Sequence, residues 1–373
     1  MARTEPCCVN KIDLWVCKST ALDSSLVDEM LADSHAEAEV LAVGIGSAGS
    51  RIVSLLSRQL SSIERIVYVS CDKDDLLTSG PGEKILIQSP IDQRLTPAIV
   101  RGLSLKYTSK IRDAVKNSKV VFVVAGLGGA TGSGLSPLVA AIAKDAGAIT
   151  VGVAVMPFDF ENRLKFYAGI SLKRLRAASR GVIVIDNDTL MQSSPYDSTL
   201  TSLYDSANWA AVNALCSLLS KSSETAISVS LSKLLGTVLQ DGYSLLGISS
   251  SGSVDKTEEA LAGAVISIGK LAEAKEVNHA VVMLRGDASI SGHDVGVAVK
   301  RLGSMVNNQL VDVEYGVDYT GPGQLQVSLL ASGFTSTKYD DYDPLSRILT
   351  GKTIDDEMDS ALPFGLEPLQ PCD

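Results

Sequence analysis

The sequence predicts an α/β protein with a doubly wound parallel sheet, a long central helix and a second, smaller α+β domain. Three observations carry this expectation. Runs such as Val120-Val121-Phe122-Val123-Val124 are β-branched and apolar without alternation, as in strands covered on both faces. Such runs alternate with helical stretches from Val40 to Asp186, the order of βαβ units. Two glycine-rich turns, Gly44 to Ser50 and Gly126 to Gly134, each stand between a strand and a helix.

The elements follow in chain order. Residues 1–38 are a polar extension in which Ser24 to Ala38 is expected as an exposed helix, because acidic residues surround few apolar positions. In the first domain, 39–197, strands are expected at Val40 to Val43, Ile66 to Ser70, Val120 to Ala125, Thr150 to Val155 and Val182 to Asp186. Its helices are expected at Ser50 to Leu60, Thr108 to Ala114, Pro137 to Ala146 and Leu164 to Ala178, with Ser136-Pro137 as a helix-opening pair. The central helix, within 198–224, is marked by Leu203, Ala207, Ala210, Ala211, Ala214, Leu215 and Leu218 at helical spacing. The second domain, 225–334, has expected strands at Gly242 to Ser249, Ala280 to Leu284, Val311 to Tyr315 and Gln324 to Leu330, around helices Lys256 to Leu271 and Gly292 to Val306. The remaining 335–373 holds nine acidic residues against three basic ones and is expected to be a disordered tail. Within it Ala361 to Leu366 is an apolar patch that a partner could grip; a solvated tail with no partner is the alternative.

Composition narrows the function classes. A chain of 373 residues, 45% hydrophobic but only 5% aromatic, suits two domains plus tails with a buried sheet. A net charge of −10 argues against nucleic acid as the main partner and against a polybasic membrane patch. Six cysteines without a Cys-x-x-Cys pair, and three histidines, indicate neither a zinc site nor a disulfide framework. No apolar run reaches membrane-spanning length and the N-terminus lacks the order of a signal peptide, so a cytoplasmic location is expected.

The run Gly126-Leu127-Gly128-Gly129-Ala130-Thr131-Gly132-Ser133-Gly134 puts five glycines in nine positions and reads as a phosphate cradle. Glycines let backbone approach a ligand closely, and a helix N-terminus favours an anion. A tight strand-to-helix turn is the structural alternative and needs only one or two glycines. Gly44-Ile45-Gly46-Ser47-Ala48-Gly49-Ser50 matches a dinucleotide-binding spacing, and Asp72 could then hold a ribose. A nicotinamide enzyme leaves the second loop unexplained, whereas one polyphosphate held by two backbone cradles uses both.

Together these residues resemble the tubulin and FtsZ superfamily. Gly126 to Gly134 is similar to its Gly-Gly-Gly-Thr-Gly-Ser/Thr-Gly signature, with Ala130 in a glycine position. Gly44 to Ser50 resembles the family's first phosphate loop, Ser70-Cys71-Asp72 its Asn-Thr-Asp, Pro157 to Arg163 its Pro-Phe-x-Phe-Glu-Gly-Arg, and Val184 to Asp188 its Val-Ile-x-Asn-Asp. Gly242 to Gly247 and Ala331 to Phe334 fit later landmarks. The resemblance implies a tubulin/FtsZ-like fold that binds GTP or GDP. Phosphates would be held by the backbone of Gly44, Gly46, Ser47, Ala48, Gly49, Gly126, Gly128, Gly129, Ala130, Gly132 and Gly134, with the hydroxyls of Thr131 and Ser133. Asp72 would hold a Mg²⁺-bound water, since Mg²⁺ prefers few carboxylates and several waters. Pro157 falls in the same motif; Glu161 would contact the ribose, Arg163 and Asn187 the nucleotide, and Asn208 the guanine edge. The structural alternatives are a turn cap for Asn187, a surface ion pair for Glu161 and Arg163, and a solvent-facing Asn208.

The pattern also breaks. In the family a loop from the next protomer, approximately Asn-x-Asp-x-x-Asp, brings carboxylates to the γ-phosphate; here that stretch is Ser228-Val229-Ser230-Leu231-Ser232-Lys233. Both carboxylates are missing, so the positions Ser228, Ser230 and Lys233 are degenerate and hydrolysis is expected to be slow or lost. Lys233 could tighten an interface around unhydrolysed nucleotide, or cap a loop in solvent. Arg51, where the family usually has an amide side chain, could partly replace the metal. The family's Gly-Ala-Gly-Ala-Asn-Pro loop is replaced by Ser89 to Pro97, so GDP and GTP could bind alike. The resemblance points to a divergent prokaryotic FtsZ-like division or cytoskeletal protein, archaeal origin included, that assembles with itself or with an FtsZ paralogue. A membrane adaptor would read the tail, and the protein would work in the cytoplasm, at the division site or the inner membrane face. An active assembly-dependent GTPase and a non-polymerising regulatory pseudo-GTPase are the alternatives.

Overall fold

The structure, a computed structural model, describes residues 39–89, 95–190, 199–220, 226–319 and 323–342. The expected helix of the extension, residues 90–94 of the divergent loop, and the tail from 343 onward with its apolar patch lie outside the described residues.

Among the described residues eleven strands form one sheet: Val40–Ile45 (β1), Arg65–Ser70 (β2), Glu83–Leu86 (β3), Val120–Gly126 (β4), Ile149–Met156 (β5), Gly181–Asp186 (β6), Ala226–Ile227 (β7), Tyr243–Ser251 (β8), His279–Arg285 (β9), Asp312–Asp318 (β10) and Leu325–Phe334 (β11). The spatial order is β3-β2-β1-β4-β5-β6-β8-β11-β9-β10-β7. The first six strands are parallel in the order 3-2-1-4-5-6, which places a topological switch point between β1 and β4. β11 runs antiparallel between β8 and β9, and the remaining strands complete a mixed half. The halves join where β6 pairs with β8 through Ile183↔Ser244, Val184↔Leu245 and Ile185↔Leu246.

The helices are Gly46–Gln59 (α1), Lys73–Thr78 (α2), Pro97–Ser104 (α3), Thr108–Val115 (α4), Ala130–Asp145 (α5), Asn162–Ala178 (α6), Asn187–Leu190 (α7), Leu200–Leu219 (α8), Leu231–Val238 (α9), Lys256–Gly269 (α10) and Gly292–Met305 (α11). Alternate strand residues feed opposite faces. Leu41, Val43, Val121 and Val123 pack into one core, and Val40, Ala42, Val120 and Phe122 into the other. The second core is closed by α8 through Ala207, Ala211, Val212, Leu215 and Leu218.

The structure adds elements that the sequence pattern left as loops. β3 is a four-residue edge strand whose first two residues are exposed, too short and polar for a periodicity to register. α3 has Thr96 accepting the Ile99 N–H at 3.3 Å and Pro97 in its first turn, and α9 is capped by Ser230 accepting the Lys233 N–H at 3.3 Å. α5 begins at Ala130, not at Pro137, so half of the second glycine run is helix. Part of the segment expected as a tail, up to residue 342, is among the described residues. Residues 338–342 form a 3₁₀ turn docked on the fold, where Tyr339 is 1% exposed and its burial outweighs the acidic composition around it.

Candidate functional site

β1 and β4 end side by side, and the turns after them deliver two helix N-termini to one place. Neither α1 nor α5 has a side-chain N-cap or an acidic residue in its first turn. The leading N–H groups of both helices are therefore left for something outside the chain, at the end where the dipole is positive. Gly46 turns the chain with φ +66°, and a Cβ there would lie 3.3 Å from Thr131 Cβ, so the two turns touch. Between them lies a cleft of about 490 Å³ lined by Gly46, Ser47, Ala48 and Arg51 from the first turn and by Gly126, Gly129, Ala130, Thr131 and Gly132 from the second.

The other walls come from β2, β5, β6 and α8. Asp72 is exposed at the cleft, its carboxylate accepting the Asp74 N–H at 2.8 Å to cap α2. Pro157 and Glu161 follow β5, Asn187 follows β6 and is buried, and Asn208 faces the cleft from α8. Asn208 is half-buried there. Glu161 is engaged on both oxygens: Oε2 accepts the Phe158 N–H at 2.9 Å, and Oε1 accepts the Tyr204 hydroxyl. Burial, and then that carboxylate, hold the Tyr204 phenol above its ordinary range.

Several expected residues do not line the cleft. A Cβ on Gly44 would sit 2.8 Å from the Gly49 carbonyl oxygen, and one on Gly49 would sit 2.2 Å from that of Val124, so these two glycines let α1 pack on the strands. Gly128 takes φ +111° beside Leu164, and Gly134 lies against Pro97 and Val100 of α3. Ser133 is fully buried; its hydroxyl accepts the Gly128 N–H at 2.8 Å and closes the loop from behind. Arg163 is exposed in the first turn of α6, outside the cleft wall. Arg51 lines the cleft, but its guanidinium lies 3.8 Å from Asp205 with both side chains more than half exposed, so its charge is shared with solvent and a carboxylate.

Sequence reasoning missed Tyr204 and Asp75, and it quoted Cys71 only as the middle of the 70–72 motif. Tyr204 sits one helical turn before Asn208, a signal that could have found it. Asp75 lines the cleft and accepts the Ser70 hydroxyl at 2.7 Å. Burial pushes the Cys71 thiol up, against a hydrogen bond with Thr131.

Behind the cleft three carboxylates meet. Asp186 is 1% exposed, and Lys338 Nζ reaches it at 2.9 Å. The Asp159 N–H donates to Asp188 at 2.8 Å, while Lys165 lies 3.1 Å from Asp159. Burial and the neighbouring Asp186 and Asp159 push the Asp188 carboxyl up to about 6. Among the described residues no group of three or more His, Cys, Asp or Glu side chains is arranged to hold a metal ion.

The 228–233 stretch lies elsewhere. α8 starts beside the cleft and ends at Leu219, whose carbonyl accepts the Ser62 hydroxyl at 2.9 Å, just before β2 starts at the opposite sheet edge. Beyond it Ser228 is half-buried, Ser230 caps α9, and Lys233 Nζ lies 2.8 Å from Glu314 of β10. The lysine expected to face phosphate or solvent is paired with a carboxylate from another strand.

Residues 39–195 match the family described as Tubulin/FtsZ family, GTPase domain. "Cell division protein FtsZ 1" of Pyrococcus abyssi is 36% identical over 178 residues, which are 46% of this chain and 48% of that one, so the chain spans about half the length of this relative. "Cell division protein FtsZ" of Haloferax mediterranei is 27% identical over 334 residues, covering 87% of this chain and 78% of its own. Among solved structures, an FtsZ dimer of M. jannaschii aligns with a TM-score of 0.71 at 23% identity, over 83% of this chain and 96% of that chain. CetZ2 from Haloferax volcanii, a GTPγS-bound protofilament, aligns with a TM-score of 0.67 at 22% identity, over 84% of this chain and 100% of that chain. Both likenesses concern the fold. Residues 39–195 thus match the GTPase domain of the tubulin/FtsZ family, and the chain is similar to FtsZ proteins over most of its length.

Proposed function

We propose that this chain binds a guanine nucleotide in the cleft, assembles end to end with further copies of itself, and hydrolyses GTP slowly or not at all. The observation that carries the reading is the convergence of two uncapped helix N-termini on one cleft at the switch point of a parallel sheet. Amides of α1 and α5 would receive the phosphates, Glu161 the ribose, and Asn187 with Asn208 the base. Among the described residues the cleft wall carries Asp72, Asp75 and Glu161 against Arg51, so their side-chain charge does not attract a triphosphate. A divalent cation offsets that balance. Exposed Asp72 fits a Mg²⁺ ion held mainly by phosphate oxygens and water, where the ion would screen the phosphate charge.

End-to-end assembly is supported by the placement of 228–233. α8 runs about 17 Å beyond Asn208, its last residue at the cleft, so that loop could act only on the nucleotide of a neighbouring copy. With Ser228, Ser230 and Lys233 in place of the carboxylates, loss of acid–base help would slow hydrolysis by roughly 10²- to 10⁴-fold. Glu314 favours a second reading, an active assembly-dependent GTPase, because its carboxylate stands beside that loop. In cells the first reading suits a cytoplasmic filament in division or cell shape, joined by a paralogue or a tail-bound adaptor.

Phosphate release from GTP, measured across protein concentrations alongside sedimentation of the same samples, separates the readings. Pelleting with nucleotide and little release supports the first. Release that rises with pelleting and falls in Glu314→Gln supports the second, and neither binding nor pelleting removes both.

A further inference from the structure

After β11 the chain straps back across the cleft side of the molecule. The Lys338 N–H donates to the Leu271 carbonyl at 2.7 Å, Tyr339 is buried, and Tyr342 packs edge-on against it with ring centroids 5.5 Å apart. Lys165 of α6 lies over the Tyr342 ring at 5.3 Å. At the centre of this contact Lys338 Nζ lies 2.9 Å from Asp186 and 3.9 Å from Asp159. Asp186 ends β6 immediately before Asn187, and Asp159 stands between Pro157 and Glu161. One ammonium group therefore bridges the two turns that bring Pro157, Glu161 and Asn187 to the cleft.

We propose that Lys338 is a positioning residue for the cleft: by bridging Asp186 and Asp159 it fixes the 157–161 and 186–188 turns in the arrangement that receives a nucleotide, which couples strap docking to nucleotide occupancy. The consequence for binding rests on the nucleotide reading above. Asp186 is almost wholly buried, so without Lys338 its carboxylate would face a low-dielectric interior with no cation in contact, and the turn would shift to hydrate it. The second bridge, from the Asp159 N–H to Asp188, would remain. Coupling of this kind is reciprocal, and a bound nucleotide would hold the strap as the strap holds the cleft.

The test compares the full chain with Lys338→Met and with the Lys338→Met/Asp186→Asn double variant. It reads amide hydrogen exchange without nucleotide, and binding of a fluorescent GTP analogue. The expected result is faster exchange at 157–161 and 186–190 but not in β4 of Lys338→Met, with binding weaker by roughly tenfold, and no recovery of either in the double variant, which buries no unpaired charge but still lacks the bridge. Unchanged exchange in those turns overturns the proposal, as does recovery in the double variant, which would trace the loss to an unpaired buried charge and not to the missing bridge. If the wild-type chain binds no nucleotide, the nucleotide reading fails, while faster exchange confined to the two turns still supports the positioning role.

Discussion

Asp188 sits between two other carboxylates, and the burial that brings them together sets a pH response. Its carboxyl titrates near 6 in the folded chain, above the ordinary carboxylate value of 3.8. A folded pKa above the unfolded one means that the native state binds the proton more tightly, so stability rises as pH falls from above 6 towards 4. Asp186 is shifted in the same direction, by burial against the pull of Lys338. Urea midpoints should therefore be higher at pH 5 than at pH 7, and most of that rise should vanish in Asp188→Asn; an equal rise in the variant would place its origin elsewhere. None of this was legible beforehand. Asp186-Asn187-Asp188 read as a nucleotide motif, and the lysine that meets it comes from a segment whose acidic composition read as a tail.

At the scale of elements, α5 shows why glycine and proline misled. Gly132 is buried where a Cβ would sit 2.0 Å from the Gly126 carbonyl oxygen, and Gly134 where it would sit 2.7 Å from that of Pro97. These glycines serve close packing of a helix, not looseness of a loop. Pro137 lies inside the helix and has no N–H for the carbonyl of Ser133, four residues earlier. Ser171 of α6 supplies the missing donor, its hydroxyl reaching the Ser133 oxygen at 3.1 Å. Ser171→Ala should leave that buried carbonyl unsatisfied and cost about 1–3 kcal/mol in urea denaturation. Pro137→Ala in the same chain should recover most of the loss by restoring the helical N–H. A Ser171→Ala protein as stable as wild type would mean that the carbonyl is satisfied in another way. Strands buried on both faces were legible because their runs are apolar throughout, whereas β3 and α2 are too short for a period to register.

The whole molecule has two ends. The cleft opens at the C-terminal edge of the parallel strands, and α8 carries the chain away from it to the 228–233 loop, near which Ile227 stands half-exposed on the edge strand β7. This division was legible in outline, because the two glycine turns and the long helix are sequence features. Glu314 was not, since pairing of β10 across the sheet decides what stands beside Lys233. If copies join cleft to loop, each end can be blocked separately. Ile227→Glu should keep nucleotide affinity within about twofold, since the cleft is remote and distant sites act independently, yet it should fail to pellet. Thr131→Phe should fill the cleft and lose both binding and pelleting while leaving the loop end intact. Each variant retains one working end, and the ends are complementary. Mixed in equal amounts with nucleotide, they should form dimers that grow no further, detectable by sedimentation velocity. Two inert variants that stay monomeric together would show that the contact between copies lies on another face, and long filaments from the mixture would show that neither substitution blocks an end.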